Sequence, residues 1–174
     1  MKKILLFALA MMCALPVAAQ DNIRRIEGEI ALGTTLPVHN TVYAREGDGK
    51  LLDIRGALEL RYNLRSVPVD VGLQFSCSGY GLRINHKSSY RWSTVYMMAV
   101  ADYNFRRNKN ASFFVGTGVG VSEFLSEDKF CVAPRCGVEL WRHLRVTLNY
   151  HITHEAYSGL GLTVGVVFGG GNKK

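Results

Sequence analysis

From residue 26 onward the chain alternates between apolar and polar or small residues. Ile26, Gly28, Ile30, Leu32 and Thr34 are interleaved with Glu27, Glu29, Ala31 and Gly33, and Ile54, Leu58, Leu60, Tyr62 and Leu64 with Arg55, Glu59, Arg61 and Asn63. A period of two marks a β-strand whose two faces meet different surroundings. Six further segments follow the same rule. Val69, Val71, Leu73 and Phe75 oppose Asp70, Gly72 and Gln74, and Val95, Met97, Ala99, Ala101, Tyr103 and Phe105 oppose Thr94, Asp102 and Asn104. In that fourth segment Tyr96, Met98 and Val100 interrupt the polar face. Val115, Val119 and Val121 then stand against Gly116, Gly118 and Gly120, and Val132, Val138 and Leu140 against Arg135, Gly137 and Glu139. The sixth segment also holds Pro134, which cannot donate a ladder hydrogen bond. The last two set Val146, Leu148, Tyr150 and Ile152 against Arg145, Thr147, Asn149 and His151, and Leu160, Leu162, Val164, Val166 and Phe168 against Gly161, Thr163, Gly165 and Val167.

Eight alternating segments predict an all-β fold, an antiparallel up-and-down barrel. The connections sharpen the expectation. Long ones (Pro37 to Asp53, Cys77 to Arg91, Ser122 to Lys129, His154 to Tyr157) alternate with short ones (Arg65 to Pro68, the link after Phe105, Trp141 to Leu144). Short turns on one rim and longer loops on the other characterise bacterial outer-membrane barrels, and an even strand number leaves both termini on the short-turn side. Aromatics agree with this. Tyr62, Tyr103, Phe105, Phe113, Trp141 and Phe168 lie at the short-turn ends, and Phe75, Tyr80, Trp92, Phe124 and Phe130 form a looser group opposite, as two interfacial girdles would. A soluble barrel of the lipocalin kind would need the reverse polarity, with Val, Leu and Ile enclosed and charges in water. Girdles and loops favour the membrane: the apolar set faces lipid, and the charged and glycine set faces the interior.

The first residues place this domain after an export signal. Lys2 and Lys3, an apolar run from Ile4 to Leu15, and Pro16-Val17-Ala18-Ala19 follow the order of a secretory leader. The expected division is a signal peptide at 1–19 and a single barrel domain at 20–174. Cys13 lacks the surroundings of a lipoprotein site and falls in the leader. The leader's apolar run is too short for a spanning helix, and no later stretch is long enough. The net charge is +7 for the whole chain, and +5 once Lys2 and Lys3 are removed. Arg24-Arg25, Arg106-Arg107-Lys109 and Lys173-Lys174 fall at element ends, which suits solvated or headgroup-facing positions, and nucleic acid is not an expected partner of an exported chain. Three cysteines remain. Cys77 and Cys131 flank the long connections and could pair, whereas Cys136 reads as a small apolar strand residue.

Candidate chemistry begins inside the barrel. An eight-stranded interior is just wide enough for side chains to fill. Glu27, Glu29, Glu59, Asp70, Asp102 and Glu139 share it with Arg55, Arg61, Arg135 and Arg145, and mutual pairing is the expected arrangement, giving a plug and not a conducting channel. No phosphate-binding loop, dinucleotide fingerprint, calcium loop or zinc spacing occurs, and no metal or other cofactor is expected. His151 and His154 fall on opposite faces if the strand continues.

Several segments carry a resemblance. Pro134-Arg135-Cys136-Gly137-Val138-Glu139-Leu140, Ala101-Asp102-Tyr103-Asn104-Phe105, Gly116-Thr117-Gly118-Val119-Gly120 and Gly165-Val166-Val167-Phe168-Gly169-Gly170-Gly171 resemble the outer-membrane β-barrel domain proteins of Bacteroidetes. The resemblance implies an outer-membrane location among lipid and lipopolysaccharide, and insertion by the barrel assembly machinery. Phe168 matches the aromatic insertion signal, although six residues follow it. An activity is not implied. A structural, adhesive or partner-binding role through the outer loops is expected, with an accessory subunit of a secretion or uptake complex as an alternative. A second alternative is a lipid A-modifying hydrolase built on His151, Thr153, His154, Glu155 and Ser158. Lipid A deacylases are similar in using His, Ser and Glu near this part of the chain, but His151-Ile152-Thr153-His154 departs from their His-x-Ser-Asn run. No catalytic residue is assigned.

Overall fold

A computed structural model describes residues 25–39, 53–64, 67–79, 92–105, 110–124, 127–153 and 158–169. They form strands β1 (Ile26–His39), β2 (Asp53–Asn63), β3 (Val69–Gly79), β4 (Trp92–Phe105), β5 (Ala111–Phe124), β6 (Glu127–Leu140), β7 (Leu144–Thr153) and β8 (Ser158–Phe168). Each strand pairs antiparallel with the next, and β8 pairs with β1 from Gly28↔Phe168 to His39↔Ser158, closing the barrel. Closure leaves no sheet edge, which is the condition for a sheet to cross lipid with its backbone groups satisfied.

The faces are assigned as the alternation requires. Ile30 is 54% exposed and Leu32 68%, while Glu27, Glu29 and Ala31 between and beside them are buried. The same inversion holds around the barrel: Leu60, Leu73, Met97, Phe113, Phe130 and Val166 lie outside, and Arg61, Asp102, Arg135 and Arg145 inside. The short-turn girdle is in place, with Tyr62, Phe113, Trp141 and Phe168 exposed and the rings of Tyr103 and Phe105 5.0 Å apart. Phe75 and Phe130 are exposed toward the other rim, whereas Tyr80 lies outside the described residues.

The strands run further toward the long connections than the alternation suggests. β1 continues through Pro37 to His39, and β3 to Gly79. β5 ends at Phe124 and β6 starts at Glu127, with Phe124 opposite Glu127, so most of the loop expected at 122–129 is strand. Ladder hydrogen bonds persist here where the side-chain pattern has already turned polar on both faces. Pro134 is accommodated on the lipid side of β6. Pairing with β7 runs through Val132↔Ile152 and resumes in the same register at Arg135↔Asn149.

The rim with short turns is stitched by backbone bonds, including Asn63 N–H to the Arg25 carbonyl (2.7 Å), Trp141 N–H to Asn110 (2.7 Å) and Val167 N–H to His143 (2.7 Å). Between β6 and β7, Trp141 (φ 50°) and Arg142 (φ 60°) occupy left-handed conformations, and His143 N–H closes the turn on Leu140 at 3.1 Å. Two such residues match the twist of the flanking strands at some backbone cost.

Tight coiling of so small a barrel falls on glycines. A methyl group at Gly116 would strike the Ala101 carbonyl and Asp102, and one at Gly120 the Met97 carbonyl, both on β4. At Gly28, on the lipid face, nothing lies within 4 Å. Gly120→Ala is therefore expected to cost at least about 2 kcal/mol, as overpacking does. Gly28→Ala should stay within about 0.5 kcal/mol. Urea unfolding in lipid vesicles, followed by the gel shift between folded and boiled protein, measures both, and equal costs would refute the coiling argument.

Candidate functional site

The interior is a layered polar core. In its middle, Arg135 of β6 reaches across the lumen to β2 and β4. Its Nη1 and Nη2 donate to the two oxygens of Glu59 at 2.6 and 2.9 Å, and Nε and Nη2 to those of Asp102 at 2.7 and 2.6 Å. Two bidentate clamps on one guanidinium are the strongest arrangement that planar fork allows. Arg145 of β7 also donates to Asp102, with its guanidinium 3.6 Å above the Phe114 ring. Glu29 and Glu139 lie 3.7 and 3.6 Å from Arg145. Arg61 of β2 lies 2.8 Å from Glu29, 3.4 Å from Glu59, 3.6 Å from Glu27 and 3.7 Å from Glu139. Gln74 donates to Glu59 at 2.8 Å, and Asn104 to Asp70 at 2.7 Å. Three arginines thus share Glu27, Glu29, Glu59, Asp102 and Glu139.

Toward the long connections the chemistry changes. Tyr96, Met98 and Val100 of β4 pack with Cys131 and Ala133 of β6 into a buried apolar cluster. Beside it Arg55 of β2 is 1% exposed. Its Nη2 donates to Ser76 Oγ (2.8 Å) and its Nη1 to Asn149 Oδ1 (3.2 Å) and to His151 Nε2, and Cζ lies 5.4 Å from the centre of the Tyr96 ring. Because Arg55 can only donate, His151 accepts on Nε2 and carries its proton on Nδ1, which faces Cys131 Sγ at 3.7 Å. The Tyr96 and His151 rings stand 4.5 Å apart.

Glycines on β8 make room for both layers. A methyl group at Gly165 would meet the Glu29 carboxylate, and one at Gly161 would meet Asn149 Oδ1 and come within 3.2 Å of Arg55 Nη1. The ten charged residues assigned to the interior from the alternation all face it, and nine find their described contacts in carboxylates, guanidinium groups or, for Asp70, the Asn104 amide. Arg55 is the exception. What the alternation could not supply is which strands meet across the lumen, and so the Arg55–His151–Cys131 line was missed.

The cysteine pairing expected between Cys77 and Cys131 does not form. Cys131 points into the lumen, Cys77 sits on the opposite face of its strand, and the three described cysteines are free. Cys136 is exposed to the lipid side, as a small apolar strand residue. Of the hydrolase candidates, His151 and Thr153 are buried and lumen-facing, and Ser158 opens β8 half-buried; His154 and Glu155 lie outside the described residues. Both ring nitrogens of His151 are engaged. Among the described residues no group of three His, Cys, Asp or Glu could hold a metal ion.

An inverted, closed, eight-stranded barrel with short turns on one rim is the architecture of small outer-membrane barrels. Solved structures bear this out. The chain is similar to the Neisserial surface protein A (TM-score 0.58, 9% identity, 83% of this chain and 96% of that one). It is also similar to the outer membrane enzyme PagL (0.51, 11%, 82% and 98%). A third likeness is to Ail, the attachment invasion locus protein of Yersinia pestis, solved with the heparin analogue sucrose octasulfate (0.51, 15%, 86% and 100%). No protein-family model and no curated protein sequence matches the chain. The likeness is one of fold.

The clamp on Arg135 makes a stability prediction. Glu59→Gln or Arg135→Met alone should each cost about 3–5 kcal/mol, because either leaves buried charge without its partner. The double variant should cost clearly less than the two together, and additive costs would show the clamp to be energetically idle.

Proposed function

We propose that the chain is a non-conducting barrel of a bacterial outer membrane that recognises a partner or another surface through the connections at 40–52 and 80–91. One observation carries this reading: the lumen is filled by the Arg61, Arg135 and Arg145 network, so the barrel is a rigid mount and not a passage. Loops on such a mount are where recognition residues are normally placed. The apolar exterior and aromatic girdle support the membrane location. Export through the leader at 1–19, insertion by the barrel assembly machinery and contact with lipopolysaccharide belong to the same proposal, as does kinship with the Bacteroidetes barrels. The fold likeness to Ail and to Neisserial surface protein A is compatible with an adhesive role.

A lipid-modifying hydrolase is the second reading, because PagL is an enzyme on the same architecture. Its base would have to reach a substrate held in lipid. His151 faces the lumen between Arg55 and Cys131, so the role would fall to His154 and Glu155.

The test is a retention assay. Cells displaying the barrel should bind to immobilised host matrix at least severalfold better than cells displaying a variant with 40–52 and 80–91 each replaced by an Asn-Gly turn, both variants showing the same heat-modifiable gel shift. Equal retention would defeat the recognition reading. A mass change in lipid A on overproduction, lost in His154→Ala, would put the hydrolase in its place.

A further inference from the structure

Arg55 is the one interior arginine whose described partners are all neutral: Ser76, Asn149, His151 and the Tyr96 ring. The other three are surrounded by carboxylates. A guanidinium taken out of water without an opposing charge is among the costliest things a protein can bury. Its donors are also incompletely used. Nη1 engages Asn149 and His151 and Nη2 engages Ser76, but Nε has no partner. Nε and the remaining proton of Nη2 are the donors left to Arg55, and such a pair on one edge of the plane fits two oxygens of a carboxylate or phosphate.

Unused hydroxyls gather in the same part of the lumen. Among the described residues Thr35 Oγ1 and Thr153 Oγ1 are buried without a hydrogen bond. Thr153 is two residues beyond His151 on the same face of β7. Thr35 pairs with Gly161 of β8, whose missing side chain is what admits Arg55 Nη1, and its methyl group covers Gly159. A buried cation, its unpartnered Nε and two idle hydroxyls lie at the long-connection end of the interior. His151, held neutral by accepting from Arg55, adds no charge there.

We propose that this end of the lumen is an oxyanion site, in which Arg55 binds a phosphate or carboxylate group through Nε and Nη2, with Thr35 and Thr153 donating from either side. The bound group supplies the counter-charge that Arg55 does not meet among its described partners. Such a group is carried both by free anions and by the phosphorylated headgroups around the barrel, so the test separates them.

Purified full-length protein in a zwitterionic detergent, with its arginine Nε–H signals resolved by NMR, is titrated at constant ionic strength with inorganic phosphate, acetate or chloride. Phosphate and acetate should each move one Nε–H signal saturably, the one missing in Arg55→Gln, and chloride should act at least tenfold more weakly. Thr153→Val and Thr35→Val keep Arg55 and nearly the same shape, and each should weaken phosphate binding roughly three- to tenfold. Vesicles with phosphorylated headgroups that shift the same signal without free phosphate would identify the lipid as the source. The proposal is overturned if neither oxyanion moves that signal in the folded protein, or if the threonine variants bind phosphate as the parent does.

Discussion

The grip of Glu59 and Asp102 on Arg135 is the interaction on which the rest of the barrel depends. It joins β2, β4 and β6 across the lumen, so it exists only if the sheet has closed in its observed register. A slip of one residue would exchange the faces of a strand, sending Arg135 or Glu59 into lipid and Cys136 or Leu60 into the polar core. Near the bilayer midplane a lipid-facing arginine or lysine alone costs about 2–4 kcal/mol. Lipid outside and ion pairs inside therefore reject the same errors, and each strengthens the selectivity of the other.

Space is the second half of that constraint. Arg61, Arg135 and Arg145 are large, and the interior holds them because other inward positions carry no side chain: Gly165 is open to Glu29, and Gly161 to Arg55. Bulk and absence can share a strand: β6 carries both Arg135 and Gly137, and the missing side chain of Gly137 leaves room for the Phe114 ring. The glycines serve the sheet as well, since Gly116 and Gly120 let β5 approach the β4 backbone more closely than any side chain would permit.

Fold and faces were legible in the sequence because an apolar exterior and a polar interior impose a period of two. Strand number, order and the inward set follow from that period, even in β4, where Tyr96, Met98 and Val100 blur it and turn out to be a true apolar cluster. Strand ends were less legible. Between 122 and 129 polar residues sit on both faces, so the side-chain pattern stops while the β5–β6 ladder continues. Partners across the lumen were not legible at all. Arg55 and Arg61 look alike on one face of one strand, yet Arg61 meets four carboxylates and Arg55 none among those described, a difference set by which residues of β1, β6, β7 and β8 stand opposite. The Cys77–Cys131 pairing failed for the same reason: loop proximity says nothing about facing, and the period of two places the thiols on opposite sides of the wall.

The interior is polar along the barrel axis as well as across it. Carboxylates outnumber arginines in the network that reaches toward the termini, with Glu27, Glu29, Glu59, Asp102 and Glu139 around three guanidinium groups, while toward the other end Arg55 meets only neutral groups among its described partners. The Tyr96, Met98, Val100, Cys131 and Ala133 cluster stands between them on the β4 and β6 side. An apolar layer lowers the local dielectric, which strengthens attraction within each group of charges and leaves fewer ways to screen either one. The two ends therefore answer to different demands. The carboxylate-rich end is crossed by ion pairs between strands and fixes the register, so substitutions there act first on stability. The Arg55 end shows few cross-strand charge pairs among the described residues, and Arg55 Nε, Thr35 Oγ1 and Thr153 Oγ1 are buried there without a hydrogen bond. A barrel so divided can vary the connections at one rim without disturbing the clamp that holds it together.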